Sequence, residues 1–237
     1  MGTQNIYNAD CFDILPNIDS NSIDLVILDL PYNQTACKFD NQIIDLDQLW
    51  KELKRIGKPR TAYVFFCTTR FGHKLISSNE RMFKYDIVWQ KSMSSGFYHC
   101  NHQPLRSHEM LYLFYDKLPI YNPQMIDGIP YTRQPGRRTE LYTGNSPRID
   151  TISNGKRFPK SVISIANGNY KSKHPTAKPY GILEWIVKTY SNENDNVLDP
   201  FMGIGTVGTV CNNNNRRFIG IEIDRKYYAE ANQLLIN

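Results

Sequence analysis

The segment Val197-Leu198-Asp199-Pro200-Phe201-Met202-Gly203-Ile204-Gly205-Thr206-Val207-Gly208 constrains the fold of this chain more than any other. A short apolar run ends at a carboxylate, and three glycines follow at G-x-G-x-x-G spacing. A strand, tight turn and helix start of this kind brings free backbone N–H groups to one point and lets a ligand approach the main chain. Glu222 closes the next apolar run, Phe218-Ile219-Gly220-Ile221, where an acid can hold a ribose diol. The spacing also fits a nicotinamide-dependent oxidoreductase, or a plain strand-to-helix turn. Only 29 residues follow Gly208, which leaves no room there for the second mononucleotide half of a dinucleotide site.

Upstream, strand-like and helix-like signals alternate. Ile6-Tyr7 begins the series, and Ile23 to Asp29, apolar but for Asp24 and unbroken from Leu25 to Leu28, is stopped by a carboxylate and a proline, as a buried parallel strand would be. Asp45 to Ile56 has helical spacing of Leu46, Leu49, Trp50, Leu53 and Ile56. Thr61–Cys67, Tyr85–Gln90 and Met110–Tyr115 read as strands, and Phe71–Asn79 as a helix. After Asp116 the periodicity fails until about Lys173, in a stretch rich in Pro, Gly, Tyr, Asn, Ser and Arg. It resumes with helices at Tyr180–Tyr190, Gly205–Asn214 and Arg225–Leu235, and strands at Asn196–Leu198 and Arg217–Ile223. The alternation predicts a doubly wound α/β sheet. Its halves are residues 1–118 and 174–237, separated by a loop-rich insertion at 119–173.

At 237 residues the chain supports one main domain with a small module. No apolar stretch is long enough to span a membrane, and the N-terminus lacks a signal-peptide layout, so a cytoplasmic location is expected. The five cysteines (Cys11, Cys37, Cys67, Cys100, Cys211) are scattered without a C-x-x-C pair, which reads as reduced thiols. The net charge of +5 permits a polyanionic partner. Its distribution says more: Tyr131 to Lys173 carries nine basic residues against Glu140 and Asp150, a local excess of +7.

The second chemically suggestive segment is Leu28-Asp29-Leu30-Pro31-Tyr32-Asn33. A carboxylate at the carboxyl end of a buried strand, then a stiffened turn and an aromatic, suits an exocyclic amine. Asp29 can accept one N–H, the Leu30 carbonyl the other, and Tyr32 can stack on the ring that bears the amine. Local pattern alone fits an Asp-containing turn with Tyr32 packed on the surface better than it fits an amine site.

Together these segments resemble the DNA amino-methyltransferases of the β arrangement, the N6-adenine/N4-cytosine family. Asp29-Leu30-Pro31-Tyr32 resembles the D-P-P-Y motif that comes first, and Phe201-Met202-Gly203-Ile204-Gly205 matches the F-x-G-x-G motif that comes last. His174-Pro175-Thr176-Ala177-Lys178-Pro179 is similar to H-P-T-x-K-P, and Asn8-Ala9-Asp10-Cys11 resembles a G-D-C element. The departures are Leu30 for proline, Ala177 for a common glutamine and Asn8 for glycine.

The resemblance implies a seven-stranded Rossmann-like methyltransferase sheet and S-adenosylmethionine as the cofactor, with no metal. It implies a catalytic turn of Asp29, Leu30, Pro31 and Tyr32. It implies cofactor contacts from Asp10, Cys11, Asp29, His174, Thr176, Lys178, Asp199, Phe201, Gly203, Gly205, Thr206 and Glu222. The substrate would be a flipped-out base in double-stranded DNA, adenine N6 by the habit that Asp at position 29 follows, with cytosine N4 as the alternative. A non-catalytic nucleic-acid binder is the remaining reading, and intact Asp29, Pro31 and Tyr32 argue against it. A cognate restriction endonuclease and a homodimer are left open.

The expected DNA contacts are Arg133, Arg137, Arg138, Lys156 and Arg157 in the basic segment, with Arg106 a further candidate or else a surface arginine paired with Glu109 or another acid. His99-Cys100-Asn101-His102, with His108 and Glu109, has no spacing that fits a zinc site. The stretch Asn33 to Asn41 reads as a lid or a connection.

Overall fold

A computed structural model of the chain describes residues 4–31, 44–134, 151–167 and 177–236. The packing divides into two units, residues 1–122 with 161–237, and residues 123–160.

The first unit begins with β1 (Gln4–Asn8), a single helical turn α1 (Cys11–Ile14) and β2 (Ile23–Leu28). Next come α2 (Leu46–Ile56), β3 (Gly57–Cys67), α3 (Thr69–Ser78), β4 (Phe83–Ser95) and β5 (Arg106–Phe114). Asp45 starts α2 by accepting from the N–H groups of Asp47 and Gln48, each at 3.0 Å, and the five apolar residues predicted for its inner face are all buried.

β2 shows why its sequence is apolar without a break from Leu25 to Leu28. Leu25 and Ile27 enter one core, while Val26 and Leu28 enter the other, because successive side chains point to opposite faces. The first core receives α4 (Tyr180–Tyr190), α5 (Thr206–Asn213) and α6 (Arg225–Ile236); the second receives α1, α2 and α3. Helices therefore cover both faces of one sheet.

The second unit contains β6 (Ile126–Asp127), β7 (Tyr131–Arg133), β8 (Thr151–Ser153) and β9 (Lys156–Arg157). β6 pairs antiparallel with β9, and β7 with β8. Ile129, Ile152 and Phe158 are exposed, consistent with a module that has little core of its own.

Three more strands complete the large sheet: β10 (Val162–Ser164), β11 (Asn196–Asp199) and β12 (Arg217–Glu222). The order is β1-β12-β11-β2-β3-β5-β4-β10, with β5 antiparallel to both neighbours and every other pair parallel. Among the described residues the sheet thus has eight strands, one more than the seven expected. The additional strand is β10, which lies inside the stretch read as loop; its three residues pair with Val88, Trp89 and Gln90.

Candidate active site

The chain leaves β2 toward β3 on one side and leaves β11 toward β12 on the other, while β2 and β11 pair with each other. The strand order reverses at that pair, and the crevice beyond the carboxyl ends of such strands is where open α/β sheets take ligands. Asp29 follows the end of β2, Asp199 ends β11, Glu222 ends β12, and Asp10 follows the end of β1. Four adjacent parallel strands therefore deliver four carboxylates to one rim.

The glycine turn is held from beneath and from the side. Asp199 is buried, and its Oδ1 accepts from the Phe201 N–H at 3.0 Å. Glu222 Oε2 accepts from the Gly203 N–H at 2.9 Å, and its Oε1 from the Asp224 N–H at 2.7 Å. Gly203 and Gly205 have φ of +54° and +79°, a region that side-chain-bearing residues seldom enter, and Gly205 caps α5 just before Thr206. Gly208 has a different reason: a Cβ there would lie 2.8 Å from side-chain carbons of Leu235 and Phe218, so it permits close packing of helix on strand. Phe201 is half-buried against the core shared with β2.

Burial, reinforced by Asp29 and Glu222, pushes the Asp199 carboxyl up to about 8. Burial likewise raises Glu222 despite the N–H groups it accepts from. Asp10 caps α1 by accepting from the Phe12 N–H at 2.9 Å. Beside it, burial first and then Asp10 push the Cys11 thiol up to about 12, so that side chain presents a neutral, compact surface. The Asn8 side chain donates to the carbonyls of Glu222 and Ile223, tying the end of β1 to the end of β12.

In the turn after β2, Leu30 is buried in the core beneath α1 to α3, so the residue that stands where the family motif has a proline acts as an apolar anchor. Asp29 Oδ2 receives the ammonium of Lys178 at 2.6 Å. Lys178, which precedes α4, also lies 3.2 Å from Glu109 Oε1, and Glu109 Oε2 is 2.7 Å from Lys91. Burial alone would push Lys178 down, but Asp29 and Glu109 outweigh it and hold the ammonium above the usual lysine value. Burial would raise Glu109, but Lys178 and Lys91 reverse that and keep it below the ordinary carboxylate range.

Sequence reasoning missed Glu109 and Lys91 as the further members of the ion-pair chain that reaches Asp29 through Lys178. A signal was present: Glu109 sits in a strand that continues Met110-Leu111-Tyr112-Leu113, and a charge on a buried strand requires a partner. Glu109 pairs with the two lysines rather than with Arg106, which begins β5 and is exposed. Tyr32, the Asn33–Asn41 stretch, Cys37, His174 and Thr176 lie outside the described residues, as do Arg137 and Arg138. Arg133 is exposed on β7. Lys156 pairs with Asp127, and the Arg157 guanidinium lies 4.5 Å from the Tyr131 ring centroid while donating to Ser153 and the Ile129 carbonyl. Among the described residues no three metal-binding side chains come together, and no helix is long and apolar enough to cross a membrane.

Residues 23–233 match the sequence pattern of a family described as DNA methylase. The chain is 44% identical over 258 residues to the Type II methyltransferase M2.DpnII of Streptococcus pneumoniae, across 97% of this chain and 88% of that protein. It is 30% identical over 240 residues to the DNA adenine methyltransferase YhdJ of Escherichia coli (strain K12), across 94% and 79% of the two. A crystal structure of the M1.HpyAVI–SAM complex matches with a TM-score of 0.65 at 21% identity, over 98% of each chain. The cytosine-N4-specific PvuII DNA methyltransferase matches with a TM-score of 0.71 at 15% identity, over 98% of this chain and 86% of that one. At those identities the two structures establish a common fold.

Proposed function

Because the chain belongs to the N6/N4 DNA methylase family, we propose that it methylates the exocyclic N6 of adenine in DNA, on a base flipped out of the duplex. The family decides between the two chemical readings of the glycine turn in favour of methyl transfer, with S-adenosylmethionine as the donor. The donor set fits that molecule: Glu222 stands where ribose hydroxyls need an acceptor, and the turn from Phe201 to Gly205 allows close approach of the main chain. Asp10 and Cys11 flank the adenine side in this reading, and Thr206, His174, Thr176 and Lys178 the methionine side. When bound, the cofactor supplies a methyl group already activated by its sulfonium.

The observation that carries the proposal is the position of Asp29 at the end of β2, across the strand-order reversal from the glycine turn after β11. An amine conjugated to its ring is a weak nucleophile, so its placement is the main task of the protein. Asp29 and the Leu30 carbonyl accept its two N–H groups and aim the nitrogen, and Tyr32 stacks on the ring. Pro31 stiffens the turn between them. Adenine is favoured over cytosine by the carboxylate at position 29, and the name of YhdJ points the same way.

A flipped base requires a held backbone, and the basic 119–173 segment is the proposed recognition module, with Arg133, Arg137 and Arg138 as leading phosphate contacts. Lys156 and Arg157 serve there by fixing β6 and β9 as well as by charge, and Arg106 is a further phosphate contact. Restriction–modification, with a cognate endonuclease, is the context that the Type II names suggest.

Asp29→Ala should lower methyl transfer by about 10²–10⁴-fold while S-adenosylmethionine binding persists. Near-normal turnover in that variant would refute the assignment. Long-read sequencing of DNA from cells expressing the protein reads the modified base directly, and N4-methylcytosine there would replace adenine in the proposal.

A further inference from the structure

Among the described residues the least exposed ion pairs run from the catalytic turn into the sheet: Asp29, Lys178, Glu109 and Lys91, alternating in sign and linked at 2.6, 3.2 and 2.7 Å. The side chains of Lys178 and Glu109 are only 13% and 12% exposed. Each lysine also rests on an aromatic face, Lys178 at 4.9 Å from the Phe66 ring centroid and Lys91 at 4.8 Å from that of Trp89. Charges this far from solvent are strongly coupled, and removing one leaves its partner poorly compensated.

The arrangement bears on the amine. Asp29 must offer an oxygen to it, yet an ammonium already sits on Oδ2. That ammonium fixes the carboxylate's orientation and also competes with the incoming N–H for the same charge. Glu109 also draws on Lys178, and its second oxygen is held in place by Lys91. We propose that Glu109 is a positioning residue for the methyl transfer, which shares Lys178 with Asp29 so that the carboxylate is aimed and the ammonium has a second partner when the target amine arrives. The inference rests on the reading of Asp29 as the amine acceptor. Among the described residues, titratable groups near the cluster include Asp199 at the end of the adjacent strand β11 and the Cys67 thiol, which burial, Glu109 and Asp29 push up to about 12.

A double-mutant cycle on the full-length protein tests it, with single-turnover methylation of DNA as the readout. Glu109→Gln should slow transfer about tenfold or more while the dissociation constants for S-adenosylmethionine and DNA stay within about twofold. In an Asp29→Asn background the same substitution should change the rate by less than about twofold, because the group it acts through is already gone. A wild-type rate in Glu109→Gln, or an equal loss in both backgrounds, would overturn the inference and leave the role of Asp29 standing. Near-normal transfer by Asp29→Asn would instead remove the reading of Asp29, and the inference with it. Should Glu109→Gln prove too unstable to assay, Lys91→Gln enters the same cycle, with a loss of about threefold expected only in the wild-type background.

Discussion

A single buried acid links the site to the stability of the whole fold. Burial, with Asp29 and Glu222 nearby, pushes Asp199 up to about 8 in the folded chain, whereas an unfolded Asp titrates near 3.9. Between those values the folded state holds a proton that the unfolded state has lost, so stability falls as pH rises from about 4 to about 8, by up to about 1.4 kcal/mol per pH unit. Asp199→Asn keeps an oxygen for the Phe201 N–H and removes the titration. Urea unfolding at pH 5, 6, 7 and 8 should therefore show wild type losing stability relative to the variant, and parallel curves would contradict the assignment. The same burial eases the crowding of four acids on one rim, because it shifts Asp199 toward its uncharged form.

At the level of elements, close approach of α5 to α6 and β12 depends on Gly208. Gly208→Ala would drive its methyl into Leu235 and Phe218 at 2.8 Å and should cost about 1–3 kcal/mol, lowering the melting temperature by about 2–4 °C per kcal/mol. An unchanged melting temperature would mean that the helix yields freely. Elements with both faces covered were legible in the sequence, because burial leaves a strong apolar signature: β2, β3, β11 and β12 all lie where the runs indicate. β10 was not legible, since three residues on a sheet edge carry no periodicity. β4 extends to Ser95 rather than ending at Gln90, because its pairing with β5 continues through polar residues to Arg106. Asp29, Asp199 and Glu222 could be located as strand ends, but the ion pair joining Lys178 to Asp29 spans 149 residues and has no local pattern.

For the whole molecule, the proposed division of labour makes binding and chemistry separable. Replacing Arg137 and Arg138 with Ala should weaken DNA affinity and flatten its dependence on salt, with S-adenosylmethionine affinity unchanged. Unaltered DNA affinity would move recognition to Arg106 and the Asn33–Asn41 stretch. The chain on either side of the 123–160 unit is fixed to the sheet domain. Before it, Asn122 donates to the carbonyls of Lys188, Ser191 and, through its backbone, Thr189; after it, Ser161 accepts from the Val88 N–H and Ile165 from the Trp89 indole. Secured at entry and exit, the stretch between them can diverge in length and composition without disturbing the register of β4 or the seat of α4. If the proposed recognition role is right, an excursion anchored this way is an exchangeable cassette, through which a lineage could acquire a new DNA sequence preference while inheriting its chemistry intact.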